Sequence, residues 1–193
     1  MDLTQGTYEE KSKRAKKMML WFGIISLIMS FAGWTSAYIV SRSREDWLRD
    51  IELPNAFFIS VFVIIVSSIT IILAKRSIKR GSHSTGMIFL VATLVLGVVF
   101  IFNQVSGFSE LIGQGHYFTG PVSNPKSSFI FLIAAVHILH VVAGLISLLV
   151  VIYNHFKQRY NSENLLGVEL AATFWHFVDI LWLYLFLFLY FVR

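Results

Sequence analysis

The chain has no cysteine, only three prolines among its 193 residues, and a small share of charged residues, 14%. The absence of cysteine excludes disulfides, thiolate-bound iron–sulfur clusters, covalently attached c-type haem and copper sites built on thiolates. The scarcity of charge excludes an ordinary soluble domain, in which roughly 25% of residues are charged. The chain is instead 56% hydrophobic. Since a membrane-spanning helix needs roughly 20 apolar residues, this composition predicts a membrane protein of about five spans.

Five apolar stretches, separated by short polar segments, occupy most of the chain. The first follows a basic segment and is too long for a signal peptide, whose apolar core has about 7–15 residues. None of the stretches alternates as a barrel strand does, and the three prolines fall in loops or at the edge of a stretch, where helices tolerate them. We therefore predict an all-α fold with a basic tail at 1–17, a single membrane domain at 18–193, and helices at 18–40, 55–74, 85–106, 127–153 and 168–192.

The basic residues are distributed unevenly between the two sides that five spans define. Eleven of the sixteen Lys and Arg residues lie on the side of the N-terminus, and five lie on the other side. Because basic segments are retained in the cytoplasm, we predict a cytoplasmic N-terminus and a C-terminus outside. The net charge of +5 then reflects this topology and contact with anionic lipid headgroups, not binding to nucleic acid.

Ionisable side chains inside a membrane are costly and usually face the interior of a bundle. The polar candidates are Asn103 and Gln104 of the third span, His137 and His140 of the fourth, and Glu169, Thr173, His176 and Asp179 of the fifth. Counting from the predicted span ends places Asp179 level with His140, near the centre of the bilayer. We therefore predict a hydrogen bond between these two side chains, with Gly144 allowing their helices to approach closely.

The same cluster allows four interpretations. The first is a structural hydrogen-bond network that fixes the packing of the helices. The second is a proton or ion relay, although a transport path needs groups that reach both membrane faces. The third is a haem between His140 and His176, although their depths differ by roughly 6 Å. The fourth is a zinc or copper site with His137, His140, His176 and Asp179 as ligands. The remaining histidines, His83, His116 and His155, are predicted to be solvated in loops.

Four motifs in the second half of the chain are recognisable. The string FWHFVDILWLYLF at 174–186 closely resembles the signature of subunit III of the haem–copper oxidases. GVELAA at 167–172 is similar to the segment that precedes this signature, and HILHVVAGL at 137–145 is similar to the family's His-x-x-His-Val-x-x-Gly helix. LGVVFIFNQ at 96–104 resembles a family motif that ends in glutamine. The matching positions are Gln104, His137, His140, Gly144, Glu169, Trp175, His176, Asp179 and Trp182.

The resemblance implies the five-helix form of an accessory subunit that has no catalytic centre, haem or metal of its own. It implies packing against catalytic subunit I, beside subunit II and other subunits of a respiratory complex in the bacterial inner membrane. That complex reduces oxygen with electrons from cytochrome c or quinol. In the family this subunit holds phospholipid between its helices and supports proton uptake and lasting turnover. The resemblance assigns helix packing and the lipid cleft to His137, His140, Glu169, His176 and Asp179.

Two positions depart from the family pattern. Leu27 stands where many members have a glutamate in the first helix, and Gly107 stands where the family has a glutamate after the glutamine motif. Two functions of other classes also fit a five-helix bundle with buried ionisable groups. A small proton-coupled transporter predicts an inverted repeat, and the sequence shows none. A haem-binding membrane cytochrome predicts a Soret band from the isolated chain, whereas the subunit III resemblance predicts a colourless chain.

The predicted topology can be tested with cysteines introduced into this cysteine-free chain. Cysteines at Ser82 and Ser162 should react with an impermeant thiol reagent only from the cytoplasmic side, and a cysteine at Ser123 only from outside, because of the charge asymmetry. Labelling of sealed right-side-out and inside-out membrane vesicles measures this sidedness. The reverse labelling pattern would contradict the orientation.

Overall fold

The computed structural model describes residues 7–48, 51–121, 123–160 and 165–192. This part of the chain forms five helices and holds no strand, which confirms the predicted all-α fold. Each helix is long and apolar enough to cross a membrane. The helices are α1 (Tyr8–Ser41), α2 (Asn55–Lys79), α3 (His83–Gly113), α4 (Pro125–Phe156) and α5 (Leu166–Phe191).

The helices extend beyond the apolar stretches that predicted them, because hydropathy marks only the part of a helix that lies in hydrocarbon. α1 begins at Tyr8 and therefore includes much of the basic segment 1–17. A capping box fixes this start: Thr7 Oγ1 accepts from the Glu10 N–H over 3.4 Å, and Glu10 Oε2 accepts from the Thr7 N–H over 3.0 Å. At its other end, α3 continues to Gly113, past the expected end at residue 106.

Four of the helices form a closed ring in which α2 packs on α3, α3 on α4, α4 on α5, and α5 back on α2. α1 lies outside this ring, against α4 and α5. Along α1 the buried residues are Ile24, Phe31, Thr35 and Tyr38, whose spacing places them on one face of the helix. The opposite faces of α1 expose large apolar side chains, as expected of a helix that meets lipid or another membrane subunit.

Two connecting segments meet at the end of the bundle that lies away from the N-terminus. Asn124 caps α4, and its side chain also reaches the segment after α1. Its Oδ1 accepts from the Leu48 N–H over 3.4 Å, and its Nδ2 donates to the Asp46 carbonyl. In the same segment, hydrogen bonds from Arg44 hold the pKa of the Asp46 carboxyl below its usual value. This one asparagine therefore joins the α1–α2 connection to the start of α4.

Two glycines let α3 and α4 approach α5 around a single indole ring. A Cβ atom at Gly97 of α3 would lie 2.6 Å from Cη2 of Trp175 and 2.7 Å from Cδ2 of Leu145. A Cβ atom at Gly144 of α4 would lie 3.1 Å from Cε3 of the same tryptophan. Small residues at such crossings permit the close backbone approach on which membrane helix packing relies.

Gly97→Ala should destabilise the bundle by about 1–3 kcal/mol relative to Gly33→Ala, because the added methyl overpacks the contact with Trp175. Nothing lies within 4 Å of a Cβ atom placed at Gly33. Both glycines lie inside helices, so the gain in helix propensity is common to the two variants. Reversible unfolding in bicelles titrated with SDS measures the difference. Equal stabilities of the two variants would show that α3 is not closely packed at Gly97.

Candidate functional site

Two tryptophans of α5 donate hydrogen bonds across the bundle interior to two serines of α2. Trp175 Nε1 donates to Ser67 Oγ over 2.7 Å, and Trp182 Nε1 donates to Ser60 Oγ over 3.0 Å. All four side chains are buried. The two tryptophans and the two serines share the same spacing of two helical turns, so antiparallel helices bring both pairs into contact at once. We call this set the Ser–Trp ladder (Ser60, Ser67, Trp175 and Trp182).

Ser60 also connects the ladder to α3. Gln104 Nε2 donates to Ser60 Oγ over 2.9 Å, and the Ser60 hydroxyl donates its own proton to the Phe57 carbonyl over 2.7 Å. The glutamine is fully buried. Because hydrocarbon offers no water to an unpaired donor, this hydroxyl is the acceptor on which two buried donors depend. The motif residue Gln104 therefore acts in helix packing.

Next to the ladder, Ser68 lies between two ionisable residues of α5. Its Oγ is 2.6 Å from Asp179 Oδ2 and 3.0 Å from His176 Nδ1. Asp179 is buried, and His176 is half-buried. A hydrolytic triad places the histidine between the serine and the carboxylate, whereas here the serine lies in the middle. We call this chain of hydrogen bonds the Ser–His–Asp cluster (Ser68, His176 and Asp179).

The predicted hydrogen bond between His140 and Asp179 is wrong. His140 Nδ1 donates to the Val136 carbonyl of its own helix over 2.7 Å. Its ring meets Phe31 of α1 edge-on, with 5.8 Å between ring centres. Asp179 instead contacts Ser68 of α2. Level positions along two helices say nothing about rotation around their axes, and the two side chains face different neighbours.

His137 lies at the centre of the bundle and is 1% exposed. Its ring stacks on Trp182 with 5.1 Å between ring centres, and Phe100 meets it edge-on at 5.8 Å. Neither ring nitrogen has a hydrogen-bond partner among the described residues. A narrow cavity of about 10 Å³ adjoins the ring and reaches Asp179. That volume is at the lower limit for one buried water.

Glu169 lies at the end of the bundle that holds the N-terminus of α1, which we call the basic end (Lys17, Lys75, Arg76 and Lys79). Its carboxylate lies 3.1 Å from Lys17 Nζ and 3.6 Å from Lys75 Nζ, so it links α5 to α1 and α2. Partly exposed pairs of this kind contribute about 0.2–1 kcal/mol each.

A pocket of about 370 Å³ opens at the basic end between α2 and α5. We call it the basic pocket; its lining consists of Ile71, Ile72, Lys75, Arg76, Lys79, Ala172, Thr173 and His176. His176 therefore borders this pocket, and its Nδ1 contacts Ser68.

The haem and metal-site interpretations require the candidate ligand side chains to lie close enough together to bind one haem or one metal ion. His140 contacts α1 while His176 contacts α2, so the two histidines proposed for haem face different helices. Within residues 7–48, 51–121, 123–160 and 165–192, no three His, Cys, Asp or Glu side chains form a group that could hold a metal ion.

One of the three histidines expected to be solvated in loops is buried. His155 lies inside the end of α4 and is 3% exposed. Its ring stacks on His83 with 5.4 Å between ring centres, and its Nε2 donates to the His83 carbonyl over 3.0 Å. The expectation of a solvated loop was wrong for this residue because α4 continues past the apolar stretch and packs its last turn against the start of α3.

The α2 serines were absent from the candidates that the sequence suggested. A signal for them exists, since Ser60 and Ser67 repeat the spacing of Trp175 and Trp182. A buried indole N–H usually finds an acceptor, and α2 is the helix that offers hydroxyls at that spacing. A search for acceptors would therefore have paired the two helices.

Ser60→Ala should destabilise the chain by about 1–3 kcal/mol, because it leaves the N–H groups of Gln104 and Trp182 buried without an acceptor. The matched control is Ser30→Ala on α1, whose exposed hydroxyl bonds only to the Ser26 carbonyl of its own helix among the described contacts. Unfolding by SDS in bicelles measures both variants. A Ser60 variant as stable as the control would show that this hydroxyl is not a required acceptor.

Comparison with known proteins extends over the whole bundle. Residues 4–193 match the family model of cytochrome c oxidase subunit III. The chain is 26% identical to cytochrome bo(3) ubiquinol oxidase subunit 3 of Buchnera aphidicola, over 98% of this chain and 93% of that protein. It is 32% identical to the protein of the same name from Pseudomonas aeruginosa, over 70% of this chain and 63% of that protein. It is 28% identical to cytochrome c oxidase subunit 3 of Rattus norvegicus, over 97% of this chain and 75% of that protein. The motifs, the five-helix bundle and these matches agree, and the chain belongs to the cytochrome c oxidase subunit III family.

Proposed function

We propose that this chain is the non-catalytic accessory subunit of a respiratory haem–copper terminal oxidase. The observation that carries the proposal is that the family's motif residues make packing contacts between the helices of the bundle. Trp175 and Trp182 bind α2, Gln104 binds the same ladder from α3, and Gly144 accommodates the Trp175 ring. These residues build a scaffold. The chemistry of oxygen reduction then belongs to haems and copper in partner subunits.

The proposed partners are subunit I, as the main contact, and subunit II and other subunits of the complex. Two features support an assembled membrane protein. The matched proteins from other organisms are named as third subunits of oxidases. The faces of α1 that turn away from the ring expose large apolar side chains, among them Phe22 and Met29. The predicted topology and the bacterial origin of several relatives support placement in a bacterial inner membrane.

The basic pocket is the feature that best supports binding of phospholipid. Lys75, Arg76 and Lys79 bring three cations to its lining, and Thr173 adds a hydroxyl. Cationic pockets between membrane helices suit the phosphate of a lipid headgroup. Ile72 continues the lining on the apolar side, where an acyl chain would lie. We propose that a bound lipid and the accessory subunit together support proton uptake and lasting turnover of the complex.

Affinity purification tests this function. The tagged chain, extracted from its native membrane in mild detergent, should carry a haem–copper catalytic subunit and its haem absorbance, and the chain freed of partners should be colourless. Asp179→Ala should weaken retention of the chain, because the Ser68 hydroxyl that joins α2 to α5 loses the carboxylate to which it donates, while the haem spectrum and initial turnover survive. Asp46→Ala, in an exposed segment, is the control.

Two results would contradict the proposal. A stoichiometric Soret band from the chain freed of partners would make it a cytochrome. Loss of the first turnovers in an intact Asp179→Ala complex would make this residue part of the catalytic machinery.

A further inference from the structure

The Ser–His–Asp cluster connects two separate spaces inside the protein. His176 borders the basic pocket, while Asp179 borders the buried cavity that also touches His137. The only atom that joins them in the described structure is Ser68 Oγ, at 3.0 Å from His176 Nδ1 and 2.6 Å from Asp179 Oδ2. Both distances lie within hydrogen-bonding range. A hydroxyl therefore stands between a group that faces the pocket and a group that faces the interior.

A serine hydroxyl in this position can carry a proton in either direction. With Asp179 ionised and His176 a cation protonated on both ring nitrogens, His176 Nδ1–H donates to Ser68 Oγ and the Ser68 hydroxyl donates to Asp179. With Asp179 protonated, the carboxyl donates to Ser68 Oγ and the hydroxyl donates to a neutral His176 Nδ1. The two arrangements differ by one proton moved from Nδ1 to the serine oxygen while the serine proton moves to Oδ2. No atom other than hydrogen changes place, because a hydroxyl both donates and accepts.

The charged and titratable groups around the cluster favour a single mobile proton. Lys75, Arg76 and Lys79 of α2 share the pocket with His176, and these three cations disfavour a positive charge on His176 that is not balanced by an ionised Asp179. Glu169 of α5 is held by Lys75 and by Lys17 of α1, so its carboxylate is already paired. On the interior side, His137 of α4 borders the cavity. A lone carboxylate in hydrocarbon is costly. Two states avoid an isolated charge: in one, both Asp179 and His176 are neutral, and in the other, ionised Asp179 is balanced by cationic His176.

The path ends inside the bundle. From His137 the next ionisable residue along α4 toward the far end is Lys126, roughly 16 Å away at 1.5 Å per residue. Between these levels the buried polar groups that the structure describes include Gln104 and Ser60, an amide and a hydroxyl already bonded to each other. The cluster therefore has an opening at the basic end and no continuous route of titratable groups to the opposite end in the described part of the chain.

We propose that Ser68, His176 and Asp179 form a dead-ended proton-binding site, which takes a proton from the basic pocket and holds it on Asp179 next to the His137 cavity. This site stores and returns a proton at one membrane face, which the charge distribution predicts to be cytoplasmic. It is distinct from a transport path, and it does not depend on the proposed place of the chain in an oxidase.

Infrared difference spectroscopy of the full chain in lipid nanodiscs, recorded during a pH titration, tests the proposal. The wild type should show a protonated-carboxyl C=O band that disappears together with a change in the imidazole bands as the pH rises. Asp179→Asn should remove this band, and the control Glu169→Gln should retain it. Retention of the band in Asp179→Asn, or absence of any protonated-carboxyl band from the wild type, would overturn the proposal.

A second experiment tests the role of Ser68. It distinguishes a proton relay through the Ser68 hydroxyl from independent titration of His176 and Asp179. Ser68→Ala should shift the carboxyl band to higher frequency, because the C(=O)OH group loses its hydrogen-bond partner, and the carboxyl and imidazole changes should no longer coincide in pH. The matched control is Ser30→Ala on α1, whose exposed hydroxyl bonds to the Ser26 carbonyl, outside both the ladder and the cluster, and which should keep the two changes coincident. Circular dichroism checks that each variant remains helical. Coincident, unshifted bands in a helical Ser68→Ala variant would show that no relay passes through this hydroxyl.

Discussion

The hydrogen bonds from two indole N–H groups of α5 to two hydroxyls of α2 are the constraint on which the bundle depends. In hydrocarbon no water is present to accept a hydrogen bond from an indole N–H, so Trp175 and Trp182 each need an acceptor within the protein. Ser67 and Ser60 supply one each. Because both pairs share a spacing of two turns, sliding α5 along α2 by one turn would break both bonds together. The ladder therefore fixes the register of these two helices.

The rest of the interior follows from that register. It places Trp175 between the glycines that bring α3 and α4 close, and it places Trp182 under the ring of His137. It also places the turn between the tryptophans opposite Ser68, where His176 and Asp179 meet one hydroxyl. The α5 signature therefore combines two functions in packing. Trp175 and Trp182 fix the register of α5 against α2, and this register brings His176 and Asp179 into contact with Ser68.

Hydropathy predicted the five helices because a helix that crosses hydrocarbon needs a continuous run of apolar residues, which can be read directly along the sequence. It did not predict where α1 begins, since a capping box at Thr7 carries that helix through the charged segment. Depth counting placed His140 level with Asp179, yet the two face α1 and α2 respectively. Rotation about a helix axis is set by packing partners on other helices, and no local pattern states which partner will be opposite. The serines of α2 were missed because their signal, the spacing that Ser60 and Ser67 share with Trp175 and Trp182, becomes visible only when two helices are compared.

A double-mutant cycle of Ser67→Ala and Trp175→Phe tests the ladder most directly, because this pair exchanges one hydrogen bond and Phe keeps an aromatic ring in place. Reversible unfolding of the chain in bicelles gives the free energies of the wild type, the two single variants and the double variant. Interhelical hydrogen bonds in membranes contribute about 0.6 kcal/mol on average and up to about 1.7 kcal/mol. We expect a coupling energy within that range, with the double variant less destabilised than the sum of the single changes. Free energies that add to within about 0.3 kcal/mol would show that the indole and the hydroxyl do not interact, and the register of α2 and α5 would need another cause.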